Sequence, residues 1–251
     1  EAVANDFGTG TGELFQGKFK ASMRSYGQSA LEVLKTPVQV ATTAVSGVVG
    51  LGEVAIDDII LVKTGENSGV VIDPADKGKD VIAAAAEFGM KIEKILLTHG
   101  HFDHTGGVNE IKDATDAKVY IHESDECMLT DGNKALAYFC PSKKFEEKQA
   151  DVTLKDGDII EQDGVIFRVM HTPGHSAGSV CFLVETAEEN YMFAGDTIFR
   201  DSIGRSDGYS GDYIVQKATL EKLKKSNITY EKDGALWIKS TEFGSEKDDV
   251  L

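Results

Sequence analysis

Three of the six histidines in this chain, His99, His101 and His104, fall within six positions, with Asp103 among them. Neutral imidazole is the commonest protein ligand for zinc and also suits iron. The stretch is "LLTHGHFDHTGG", residues 96–107. In an extended segment alternate residues face the same way, so His99 and His101 can aim at one point. Asp103 and His104 follow where the chain curls towards a helix, and they can aim at a second, neighbouring point. Zn–N bonds of about 2.0–2.1 Å demand such convergence, which a scatter of surface histidines does not provide.

The elements that must hold this turn are legible around it. "KIEKILLT" reads as a buried strand that delivers the chain directly to His99. Before it, "DIILVKTGENSGVVIDP" reads as a hairpin and "DKGKDVIAAAAEFGM" as a helix ending near Gly89. After it come a helix at "GVNEIKDAT", a strand at "AKVYIH" and a helix at "ESDECMLTDGNKALAYF". "GDIIEQDGVIFRVMHTP" predicts a hairpin turning at Gln162-Asp163-Gly164, and "GSVCFLVET" and "NYMFAGD" are two further strands. "DYIVQKATLEKLKKS" is an amphipathic helix, and "ITYEKDGALWIKS" a hairpin turning at Asp233-Gly234. Residues 1–56 suggest a helix near 23–34 and a β-leaning stretch near 38–49, without a chemical motif. Strand pairs mixed with helices argue for an α/β or α+β layered domain.

Four stretches, in order, resemble the motifs of the metallo-β-lactamase fold superfamily: "VVIDPAD", "THGHFDHTGG", "HTPGHSAGS" and "FAGDTIFRDSIGRSD". The series is most similar to the glyoxalase II-like (hydroxyacylglutathione hydrolase-like) branch, over about residues 58–208. The resemblance implies a four-layer αββα sandwich binding one or two zinc ions, with iron as the other candidate metal. It implies that His99, His101 and His171 bind a first metal, that Asp103 and His104 bind a second, and that Asp196 bridges them. His175, Ser176 and Ser179 are then expected to support the ligands rather than bind metal. Such a centre lowers the pKa of bound water to give a hydroxide that attacks an acyl carbon, with Asp103 orienting it or taking its proton. The implied activity is a metallohydrolase acting on a small thioester or related acyl substrate. Arg205, Tyr138 and Lys143, with Arg200, are candidates to meet that substrate.

The pattern also breaks. The family normally supplies a further metal-binding His near its C-terminal end, but no His follows His175. Ala75 stands where the "IDPG" pattern has Gly. Residues 219–251, around "DGALW", resemble an internal stretch of arginyl-tRNA synthetases, although the H-I-G-H and K-M-S-K signatures of that class are absent. The expected organisation is therefore a leader over 1–57, a truncated metallo-β-lactamase-like domain over 58–208, and a tail over 209–251. That tail would pack on, or replace, the missing end of the domain, with Leu220, Leu223, Ile228, Leu236 and Trp237 as its apolar contacts. Two other readings follow: a mononuclear iron persulfide dioxygenase-like enzyme using His99, His171 and Asp196, and a chimeric metal-binding protein without turnover.

Composition narrows the partners. The formal net charge of −16 repels phosphate backbones and anionic lipid, so neither nucleic acid nor a membrane is expected as a partner. The 3 cysteines are widely spaced and odd in number, which suits reduced thiols in the cytoplasm rather than a disulfide framework. No apolar run reaches the length of a membrane span.

Overall fold

A computed structural model describes residues 39–42, 60–140, 144–185, 190–199, 202–225, 229–232, 235–238 and 249–250. The first sheet has six strands in sequential order: β1 (Gln39–Thr42), β2 (Ile60–Lys63), β3 (Ser68–Ile72), β4 (Lys91–Leu96), β5 (Lys118–His122) and β6 (Val152–Leu154). β1, β2 and β3 pair antiparallel; β3 to β6 pair parallel. Parallel neighbours need crossovers, which α1 (Gly78–Glu87) supplies after β3. The short α2 (Phe102–Thr105) and α3 (Val108–Thr115) supply the next, after β4. The second sheet, β7 (Ile159–Gln162), β8 (Val165–His171), β9 (Val180–Glu185) and β10 (Asn190–Phe193), is wholly antiparallel. A two-stranded ribbon, β11 (Ile198–Phe199) with β12 (Ser202–Ile203), follows, then α4 (Tyr213–Lys225). Strands β13 (Thr229–Lys232), β14 (Ala235–Ile238) and β15 (Asp249–Val250) form a separate small sheet.

Side-chain alternation explains the layering. On β8, Val165, Phe167 and Val169 turn inward, on β9 Val180, Phe182 and Val184, and on β10 Tyr191 and Phe193. They meet Val62, Val70, Ile72 and Leu96 of the first sheet in one core between the sheets. The residues of opposite parity, Met170, Cys181, Leu183 and Met192, face outward and are covered by Leu220 and Leu223 of α4. The outer face of the first sheet packs Leu61, Val71, Ile92 and Ile95 against Val81 and Ala84 of α1 and Val108 and Ile111 of α3. Helices, sheet, sheet and helix thus form the four-layer αββα sandwich that the motif series implies. The tail's expected contacts Leu220 and Leu223 cover the second sheet; Ile228 and the side chains of Leu236 and Trp237 lie outside the described residues.

The hairpin of β7 and β8 turns through Asp163 (φ 54°) and Gly164 (φ 85°), the two positive-φ positions of a type I′ turn. The Asp163 carboxylate accepts hydrogen bonds from Thr64 (2.8 Å) and Ser68 (2.7 Å), which pins this hairpin to that of β2 and β3. Ala75 takes φ 49°, a conformation its usual glycine would adopt freely, and its buried methyl joins the helix-side core.

One element differs from expectation. Residues 123–139 form no continuous helix but two single 3₁₀ turns, Glu126–Met128 and Ala137–Phe139. Between them Asp131 accepts from the main-chain N–H groups of Asn133 (3.0 Å) and Lys134 (3.3 Å), a local turn that competes with helix formation. Leu136 then adopts φ 56° and redirects the chain. The helix suggested near 23–34 lies outside the described residues. No described helix is long and apolar enough to cross a membrane.

Candidate metal centre

The cluster forms where the two sheets present loops at one edge. β4 ends at Leu96, and His99 stands three residues on; His101 opens α2, which carries Asp103 and His104. From the second sheet, the loop joining β8 to β9 brings His175, and the turn after β10 brings Asp196. Two buried groups of donor atoms result, His99 with His101 and His175, and His99 with His104 and Asp196, each lying within 4.8 Å of one another.

The rings' outer partners decide what faces inward. His175 Nδ1 donates to the main-chain oxygen of Arg205 (2.7 Å), so its Nε2 carries a lone pair. Thr98 Oγ1 donates to Asp73 (2.6 Å) and is therefore the acceptor for His99 Nδ1 (3.1 Å), which leaves a lone pair on His99 Nε2. These two Nε2 atoms lie 3.2 Å apart, and His101 Nδ1 lies 2.8 Å from that of His175. Lone pairs so placed repel unless a cation lies between them. Among the described residues, three buried side-chain polar atoms lack a hydrogen bond: His101 Nε2 and Asp196 Oδ1, both in the cluster's residues, and Gln216 Oε1. The donor set, three imidazoles beside an imidazole–carboxylate pair, fits zinc or iron.

Electrostatics separate the two groups. Burial, and then the neighbouring rings, hold His99 well below the usual imidazole range and push His101 down to about 3, keeping both in the neutral form that binds metal. Burial opposes charge on His104 too, but Asp196, Asp103 and Asp73 outweigh it and raise its pKa. Asp196 Oδ1 is 3.3 Å from His104 Nε2 and Oδ2 is 3.4 Å from His175 Nε2. Burial opposes ionisation of Asp196, and these two rings outweigh it, holding the carboxyl well below its usual range. The second group thus attracts positive charge, whether a proton or a metal ion.

His175, expected to support the ligands, is the third imidazole of the cluster, and His171, expected there, is not. The His171 ring stacks on His122 (centroids 4.1 Å apart), and its Nε2 donates to the oxygen of Ala177 (2.8 Å). The reason is geometric: His171 ends β8, whereas His175 lies beyond Gly174 (φ 140°), and its ring centroid comes within 4.7 Å of that of His99 and 4.6 Å of that of His101. Asp103 stands at the mouth, its side chain 55% exposed and 3.9 Å from His104 Nε2, outside both tight groups. Ser176 and Ser179 bond to each other (2.7 Å), and Ser176 donates to Asp125 (2.6 Å), so they brace the loop and touch no imidazole. Tyr138 and Arg205 line an exposed rim. The Arg205 guanidinium lies 5.5 Å from the Phe139 ring and is held by Asp207 (2.6 and 2.9 Å). Lys143 and Arg200 lie outside the described residues.

Two carboxylates were missed. Asp73 accepts from Thr98 N (2.8 Å), Thr98 Oγ1 and His104 Nδ1 (3.1 Å), orienting two rings at once. Its signal was present, since it lies inside "VVIDPAD". Fully buried Asp125 accepts from Gly100 N (3.1 Å) on one side of the site and from Ser176 and Gly178 N (2.7 Å) on the other. Nothing distinguishes it in "HESDE", where it reads as one of several surface acids.

Comparison with known proteins agrees with this geometry. The profile of the Metallo-beta-lactamase superfamily matches residues 55–230. The probable metallo-hydrolase YqgX of Bacillus subtilis is 32% identical, over 64% of this chain and 74% of that protein. Hydroxyacylglutathione hydrolase GloC of Haemophilus influenzae is 29% identical, over 59% of this chain and 69% of its own length. Among solved structures, TTHA1623 in a di-iron-bound form superposes with a TM-score of 0.57 at 33% identity, covering 70% of this chain and 85% of that one. With its αββα layers, its buried histidine–carboxylate cluster and a hydrolase-type metal-binding fold, the chain belongs to the metallo-beta-lactamase superfamily.

Proposed function

We propose that this protein is a zinc-dependent hydrolase of a thioester or related acyl substrate. One observation carries the reading: ring nitrogens of His99, His101 and His175 converge, with the lone pairs of His99 and His175 turned inward, and His104 and Asp196 stand beside them. His99, His101 and His175 would hold one ion; His104 and Asp196, with Asp103 at the mouth, would hold a second. Bound there, the metal supplies a water of lowered pKa and polarises the acyl oxygen. The chain's own groups do the rest. Asp73 and the Arg205 carbonyl fix the ring tautomers through His99, His104 and His175. Asp103, open to solvent, is placed to take a proton from the attacking water and pass it out. Tyr138 and Arg205 border the entry, and Lys143 lies five residues after Tyr138 in sequence. With Arg205 engaged by Asp207, the rim favours a substrate whose nearest part is neutral.

A second reading is a mononuclear iron enzyme that oxidises a persulfide with oxygen; the di-iron-bound form of TTHA1623 supports iron as a metal this fold takes, and nothing more of it. Its ligands would be His99, His175 and Asp196, with His175 in place of His171. The third, metal binding without turnover, is supported by the lack of any His after His175. Metal analysis of protein expressed without supplementation, with assays on thioesters and persulfides, separates the three. Zinc with thioester hydrolysis is the expected result. Iron with oxygen uptake selects the second reading, and metal without turnover the third. A His99→Ala variant with full activity would reject both enzymatic readings.

A further inference from the structure

Helix α4 does more than cover the second sheet. One of its faces, with the residue preceding it, bonds in turn to the main-chain oxygens of the segment that leads into His175. Lys222 Nζ donates to the oxygen of His171 (2.8 Å), Thr219 Oγ1 to that of Pro173 (2.5 Å), and the main-chain N–H of Asp212 to that of Gly174 (2.8 Å). Positions 212, 216, 219 and 222 are spaced by four, three and three, which places them along one side of a helix. Gly174, at φ 140°, touches this side so closely that a Cβ there would overlap the main chain of Gln216.

The Gln216 side chain reaches a second segment. Fully buried, its Nε2 donates to the oxygen of Gly204 (2.6 Å). Gly204 is pressed against the main chain of Asp196, where any Cβ would clash with the Asp196 oxygen. The next residue, Arg205, offers the oxygen that holds His175 Nδ1. The helix therefore grips both the segment that bears His175 and the segment that fixes its tautomer and backs Asp196.

We propose that α4 is a positioning element for the metal centre, acting through Gln216 and Thr219, with Lys222 as a weaker third contact. None of the three touches the metal-binding atoms; Thr219 and Lys222 act on main-chain oxygens of the segment leading into His175, and Gln216 on one in the segment that carries the Arg205 oxygen. The inference rests on the reading of the histidine cluster as a cation site. It adds that the site's affinity is set partly by a helix outside the four quoted motifs.

The test is zinc affinity, measured by competition with a chromophoric chelator, beside apo-protein melting and the visible spectrum of the cobalt-substituted protein. Gln216→Met keeps the volume and removes the donor; Thr219→Val removes the hydroxyl and Thr219→Ser restores it. Gln216→Met and Thr219→Val are expected to lose about tenfold in zinc affinity and to shift the cobalt bands, while Thr219→Ser keeps parental values. Lys222→Met, at a partly exposed position where unfolding is not at issue, is expected to lose a smaller factor, roughly threefold. Zinc affinity within twofold of the parent in Lys222→Met and in every other folded variant overturns the inference and leaves α4 as a cover. A parent protein that binds no zinc overturns the metal reading, and this inference with it.

Discussion

His171 and His175 stand on either side of Pro173-Gly174, yet only one ring reaches the cluster. Replacing each separates their roles. His175→Ala removes an inward lone pair, and zinc affinity is expected to fall by more than the roughly 10–100-fold that loss of an outer partner costs. His171→Ala is expected to keep the parental metal stoichiometry by elemental analysis, because its ring meets His122 and a carbonyl instead. Asp73→Asn keeps the size but weakens acceptance from Thr98 and His104. Zinc affinity is expected to drop about 10–100-fold in the same competition assay. Local spacing made His99, His101 and His104 legible in sequence, since they share one short turn. The choice between His171 and His175 was not local. It depends on the positive φ of Gly174, which the motif's letters hold but do not announce, and on a helix some 40 residues further along the chain, outside the motif.

Between the quoted motifs, the elements obey alternation where one face is buried and defy it where a side chain captures the backbone. The β7–β8 hairpin was readable to within one residue, Gln162 proving to be the last paired residue of β7, because Asp163-Gly164 suits one turn type. The 123–139 segment was not, because Asp131 and Leu136 interrupt an apparently helical pattern. That segment folds over α2 and leads to Lys148, which is buried with its ammonium 5.3 Å from the Phe102 ring and 4.7 Å from that of Phe145. Burial pushes this ammonium down to about 8, against an unfolded value of 10.5. Between those values the unfolded chain binds more protons, so Lys148 makes stability rise as pH increases from 8 to 10.5. In urea denaturation, the parent is expected to gain up to about 3 kcal/mol on Lys148→Met across that window. An unchanged difference between the two proteins would place the ammonium in water.

At the scale of the whole molecule, two sheets built from successive parts of the chain each supply half of the cluster. The first gives His99, His101 and His104, the second His175 and Asp196. Binding a cation across both must stabilise the docked state. Zinc at about 100 times its dissociation constant is expected to add ~2.7 kcal/mol, or about 5–10 °C in melting temperature, and a chelator to remove the gain. The αββα architecture was legible from the order of the motifs. The separate sheet of β13, β14 and β15 was foreseen only as a hairpin, since nothing local announces its third strand. The carboxylate of Asp125 bonds to both halves at once, to Gly100 on one side and to Ser176 and Gly178 on the other. A single buried carboxylate thus ties together the two stretches of chain that carry the cluster, so His175 can join His99 and His101 only where both stretches are seated on Asp125.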